Sequence, residues 1–249
     1  MTLLTPMNRT FFSAVVAISL FWLLDSPVCA QSNNSLTPQE VSEGWKLLFD
    51  GTSMDHWRVY NGDSMPEGWT IQDDAMTFRP EEANRAEGGK NIITKKKYKN
   101  FHLKLEWKIK EEGNSGIFYG VLEQPDEAIY WSAPEVQIVD NSVYPDTMDA
   151  RDRMAGSLYD LVPAEPQNVN PPGQWNSVQV IVDGSHVEHW QNGTKVISFD
   201  RWNRTWYKMI QNSKFDCHNE FGNIRKGHIG IQDHGAFVKV KNIKIKTID

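Results

Sequence analysis

Pro134-Glu135-Val136-Gln137-Ile138-Val139-Asp140-Asn141 decides how the rest of the chain is read. As a strand it sends Val136 and Ile138 to one face and Glu135 and Gln137 to the other, because strand side chains alternate with period two. The aliphatic pair faces a core. The Glu/Gln pair faces either bulk solvent or a polar site. Asp140 and Asn141 stand where the strand gives way to a loop.

The same alternation recurs along the chain. Phe101 to Ile109 sets Phe101, Leu103, Leu105, Trp107 and Ile109 against His102, Lys104, Glu106 and Lys108, the pattern of a half-buried antiparallel strand. Trp45–Phe49, Trp69–Ile71, Met76–Phe78, Ile117–Val121, Ser177–Asp183, Val187–Gln191, His228–Gln232 and Phe237–Ile248 read as further strands. Asp183-Gly184 and Asn192-Gly193 are hairpin turns. The last strand changes phase between Val238/Val240 and Ile243/Ile245, which requires a β-bulge near Lys241-Asn242. Helical periodicity is confined to a short segment, Trp206–Ser213. Many short strands with long loops at 79–97 and 141–174 predict an all-β chain: a jelly-roll sandwich of antiparallel strands over 41–249.

Residues 1–30 have the layout of a signal peptide: Arg9, an apolar run from Phe11 to Leu24, then Val28-Cys29-Ala30 before Gln31. The alternative is a retained N-terminal anchor. Export to the periplasm or the outside follows from the first reading, with no membrane span in the processed chain. Cys217 is then the one remaining cysteine, so an intramolecular disulfide is excluded. Residues 31–40 are polar, carry Pro38 and read as a flexible linker. A net charge of −6 with no basic excess argues against a nucleic-acid partner. Ten tryptophans serve either a β core or the stacking of pyranose rings.

No nucleophile elbow, phosphate loop or zinc spacing is present. His186 and His189 fall on opposite faces of their strand, which argues against a metal pair. Polar faces backed by aliphatic ones recur at Glu135/Gln137 and at Gln232/His234 in Ile229-Gly230-Ile231-Gln232-Asp233-His234-Gly235. The expected turn Asn114-Ser115-Gly116 adds a close backbone approach.

Taken together, Leu48-Phe49-Asp50-Gly51 with Trp57, Gly113-Asn114-Ser115-Gly116-Ile117-Phe118, Glu135-Val136-Gln137-Ile138-Val139-Asp140, Gly156-Ser157-Leu158-Tyr159, Gly173-Gln174-Trp175-Asn176, Asn192-Gly193 and Gly227–Gly235 are similar to the DUF1080 family in family order over about 44–249. That family is also called the 3-keto-disaccharide hydrolase or 3-keto-glucoside lyase/hydratase domain. The resemblance implies a concanavalin-like jelly roll, export and action on oxidised, 3-keto glycosides. It implies a base at C2, with Glu135 leading and His234 as alternative base or as acid at the leaving oxygen. Asn114, Gln137, Gln232, Trp131, Tyr159 and Arg153 are the expected substrate-binding residues. Asp140 and Asp233 either hold a divalent metal or cap loops; no other cofactor is implied. Many relatives carry Arg where this chain has Gly120, and Arg151 or Arg153 is the expected substitute. A non-catalytic sugar-binding module and a two-carboxylate glycosidase, pairing Glu135 with Asp140 or Asp233, are the competing readings.

Overall fold

Along β6 (Phe101–Ile109) the five odd-numbered side chains are buried and the four even-numbered ones half-buried. A strand patterned this way needs a second layer over its apolar face. The computed structural model, which describes residues 1–2, 32–84, 90–144 and 148–248, supplies that layer. The expected signal peptide lies outside the described residues, apart from the first two.

The larger sheet runs β11 (Thr194–Asp200), β10 (His186–Gln191), β9 (Asn176–Asp183), β6, β13 (Val238–Thr247), β4 (Ala75–Phe78), β3 (Trp69–Gln72), with β1 (Lys46–Leu47) also paired to β13. The smaller sheet runs β2 (Trp57–Val59), β5 (Ile92–Thr94), β12 (His228–Ile231), β7 (Asn114–Val121), β8 (Glu135–Val139). All pairings are antiparallel. The chain crosses from sheet to sheet, making the jelly-roll sandwich that the alternation predicts. Ile117, Tyr119, Val136, Ile138, Ile229 and Ile231 of the smaller sheet share one core with Leu103, Trp107, Val180 and Val240 of the larger. The opposite face of the smaller sheet is therefore free to carry Asn114, Glu135 and Gln137. No helix among the described residues is long and apolar enough to cross a membrane.

The phase change in β13 is a bulge between Lys241 and Lys244, with Asn242 at φ 53°. Asn-Gly at 192–193 makes a two-residue hairpin with both φ values positive, 47° and 77°. Asn114-Ser115-Gly116 is not a turn. It opens β7, paired with Val139, Ile138 and Gln137, and the reversal falls one step earlier at Glu112-Gly113. A second core gathers Trp206 and Ile210 of α2 (Arg204–Gln211) with Leu158, Phe215 and Phe221. Asn203 caps that helix through a 2.8 Å bond from Trp206 N.

The expected linker is fixed instead. Thr37 and Glu40 form a capping box on α1 (Pro38–Ser42), and Glu40 pairs with Lys244. Asn34 is buried; its N–H donates to Asn242 Oδ1 (2.6 Å) and its Oδ1 accepts from Asn242 N (2.8 Å). The polar residues that suggested a linker divide between caps for α1, Thr37 and Glu40, and caps for the β13 bulge, Asn34 above all. Asn34→Gly keeps the left-handed φ of 53° accessible and the backbone N–H bond to Asn242, but removes the bonds made by the side-chain amide, from Asn242 N to Oδ1 and from Nδ2 to Asp74 O. We expect it to destabilise the domain by roughly 1–3 kcal/mol, read as a shifted midpoint in urea unfolding; an unchanged midpoint would show the segment to be unanchored.

Candidate active site

β8 lies at the edge of its sheet, where its outer face meets chain from three directions. Phe118 pairs with Glu135 and Gly116 with Gln137 across β7–β8. A Cβ at position 116 would stand 1.8 Å from Glu135 Oε1, so glycine leaves the volume that the carboxyl fills. On the far side of β7, Gln232 N donates to Gly116 O (2.9 Å), which carries Gln232 and then His234 to the same face. The free edge of β8 is closed by residues 156–159: Gly156 N donates to Gln137 O, Gln137 N to Ser157 O and Tyr159 N to Glu135 O, at 2.8–3.0 Å. That pairing places Tyr159 beside Glu135. A short 3₁₀ turn, Ile129–Trp131, contributes Tyr130 and Trp131, and Lys214 arrives just after α2. Trp131 is held by stacking on His218, rings 3.9 Å apart. Together these side chains line a cleft of about 260 Å³.

The chemistry follows from burial. Glu135 is 6% exposed and its Oε1 has no hydrogen-bond partner among the described residues. Burial pushes its pKa up to about 8, against an opposing pull from Lys214. Asn114 Oδ1, Gln137 Nε2 and Gln232 Oε1 are likewise buried and unpartnered. Buried polar atoms are ordinarily satisfied, so four orphans in one cleft mark the place of a polar ligand. The amide oxygens of Asn114 and Gln232 lack a donor, the Gln137 nitrogen lacks an acceptor, and the Glu135 oxygen lacks a partner of either kind, needs that hydroxyl groups meet in both directions. Burial pushes the Tyr159 hydroxyl up to about 12, so it remains a donor. Lys214 has its Nζ 4.1 Å from the Tyr159 ring centre, and burial lowers the proton affinity of that amine.

A model of the 3-keto-alpha-glucoside-1,2-lyase-like domain matches residues 44–246. The chain belongs to that family. It is 38% identical over 244 residues, 88% of this chain and 84% of the other, to a protein of Bacteroides thetaiotaomicron named 3-keto-disaccharide hydrolase. A Parabacteroides distasonis protein solved as a candidate glycosyl hydrolase superposes with a TM-score of 0.80 at 34% identity, covering 88% of this chain and all of that one. A second structure from the same organism, at 23% identity and TM-score 0.64, shares the fold.

In this lyase-like domain the cleft unites Glu135, His234, Asn114, Gln137, Gln232, Trp131 and Tyr159, all expected from sequence. His234 is exposed at its rim. Arg153 is not among the lining residues: its Nε and Nη2 both donate to Asp160 Oδ1, at 3.0 and 2.8 Å. Arg151 faces Glu165 instead. Gly120, at φ 70° and with Ile224 O 3.2 Å from where its Cβ would be, does not line the cleft either. Asp140 accepts from Glu112 N and Ser142 N, and Asp233 from Lys90 N and Gly235 N. Both aspartates thus serve as loop caps, and no cluster of three or more metal-binding side chains occurs among the described residues. The donor set does not fit a metal site at these aspartates. His186 and His189 are indeed on opposite faces, exposed and buried respectively. Lys214 and Tyr130 were not anticipated. The adjacent aromatics Tyr130-Trp131 offered a signal for one; no spacing in the sequence marks the other.

Glu135 holds its proton in the folded state up to about pH 8 but releases it near 4.5 when unfolded. Because the folded form then binds more protons, stability falls as pH rises between those values, at up to about 1.4 kcal/mol per pH unit. Glu135→Gln removes that slope. We expect the variant to be more stable than the parent by a few kcal/mol at pH 8 and nearly equal to it close to pH 4.5, in urea unfolding at both pH values. Parallel pH profiles would refute the buried, proton-holding carboxyl.

Proposed function

We propose that this protein is an exported enzyme that cleaves 3-keto-glycosides by elimination and hydration. A ketone at C3 acidifies the hydrogen on C2. The Glu135 carboxylate takes that proton and the electron pair forms the C2–C3 enolate. The enolate collapses back to the ketone, forms C1=C2 and expels the C1 oxygen, which takes a proton from His234. Water then adds across C1=C2, hydroxyl to C1 and proton to C2, so the net reaction is hydrolysis. Asn114, Gln137 and Gln232 orient hydroxyl groups, and Trp131 with Tyr130 supplies apolar wall to the sugar ring.

The observation that carries this reading is the single, desolvated, unpartnered carboxyl in the cleft. A base for a carbon acid works best with a pKa near the working pH, and burial brings Glu135 there. Conventional glycosidases need two carboxyl groups flanking the bond, about 5–5.5 or 6.5–9.5 Å apart. Among the described residues lining the cleft Glu135 is the one carboxylate. The name of the Bacteroides relative supports the substrate class. The basic, apolar and small-residue order of residues 1–30 supports export.

A 3-keto-glycoside should be cleaved in D2O with deuterium appearing at C2, while its parent glycoside is left intact. Cleavage with the C2 hydrogen retained would rule out elimination, and binding without turnover would favour a sugar-binding module. Glu135→Gln should lower kcat on the keto substrate by about 10²–10⁴. His234→Asn should lower cleavage more than C2 exchange, since it acts at the leaving oxygen; equal losses in both would make His234 the base.

A further inference from the structure

Loss of the C2 proton puts negative charge on the C3 oxygen, and neutral amides alone meet it poorly. A cation is needed close to the base, because C2 and C3 are bonded neighbours. It must also not be paired with the base, or the base would be held ionised and weak. Lys214 meets both conditions. Its Nζ stands 4.1, 5.1 and 6.0 Å from the ring centres of Tyr159, Phe215 and Tyr130. Three aromatic rings steer an ammonium without neutralising it. Among the described residues no carboxylate makes an ion pair with Lys214 within 4 Å. The charges it feels are Glu135 and Asp160, which attract it, and Arg153, which repels it; Asp160 is already held by Arg153 at 2.8 Å. Lys214 is also the one Lys or Arg lining the cleft.

Resting on the elimination reading above, we propose that Lys214 is a catalytic residue whose ammonium donates a hydrogen bond to the C3 oxygen and stabilises the enolate.

The test measures C2 hydrogen exchange and cleavage of a 3-keto-glycoside in D2O by the parent, Lys214→Met and Lys214→Arg. Lys214→Met should lower kcat for both steps together by about 10²–10³, as for loss of one oxyanion donor, with KM changed only a few-fold. Lys214→Arg should recover at least about tenfold of that loss and move the alkaline fall in kcat to higher pH, a shift that a merely structural lysine would not produce. If the parent exchanges and cleaves while Lys214→Met stays within about threefold of it, the role of Lys214 is refuted and elimination stands. A parent that neither exchanges nor cleaves the keto substrate overturns both. Sugar fixed to Lys214 by borohydride would replace the hydrogen bond with an iminium and overturn the proposal.

Discussion

The Glu135 carboxyl occupies space that a side chain at position 116 would fill, on a sheet face from which water is largely excluded. Taking a carboxylate out of water is costly, and the group answers by keeping its proton. Among the described residues no group hydrogen-bonds to Oε1, and Lys214 attracts the carboxylate only partly. The core beneath has to hold the strand in place against this penalty. Val136 and Ile138 provide the hold, buried at 1% and 0% exposure between the sheets. The period of the strand thus joins the apolar layer between the sheets to a buried, unpartnered carboxyl.

The edge position of β8 explains how the remaining walls are placed. An uncovered edge would expose backbone donors and acceptors to unwanted pairing. Residues 156–159 cover it with three backbone hydrogen bonds, and the same bonds fix Tyr159 next to Glu135. The second core, built around Trp206, Phe215 and Phe221, fixes the chain that carries Lys214. Glu135 and Lys214 therefore rest on separate hydrophobic cores. Such support holds the pair at a set distance without a direct bond between them.

How much of this was legible depended on whether strand periodicity governed the residue. Phe101–Ile109, the hairpin at Asn192-Gly193 and the bulge at Asn242 follow from local pattern and recur in the structure. Glu135, Gln137 and Gln232 were legible because a strand residue's face is set by its neighbours. Lys214 was not, since its place depends on how a short helix packs against a distant core. Arg153 stands six residues before Tyr159, but the competing Asp160 captures it. Asp140 and Asp233 were ambiguous because a strand-end aspartate can cap a loop as readily as bind a metal. Asn34 was misread as linker because its partner, Asn242, is 208 residues away.

Holding Glu135 near pH 8 leaves roughly a tenth of it ionised at neutral pH. An ordinary carboxylate would be fully ionised there, yet it would be a weak base toward carbon. On the proposed elimination, the raised pKa of Glu135 trades abundance for base strength, which suits a slow proton transfer from C2 more than the stabilisation of a glycosyl cation. The opposite choice, a permanently charged carboxylate, would need hydrogen-bond donors around Oε1, and Gly116 offers a gap there instead. Bound substrate changes the balance as well. On the elimination proposed above, sugar hydroxyls that satisfied Gln137 and Gln232 would displace water from the cleft and strengthen the attraction between Lys214 and the charge forming beside it. Displacing that water also withholds solvation from the Glu135 carboxylate, so the attraction of Lys214 is what offsets the cost of ionising it.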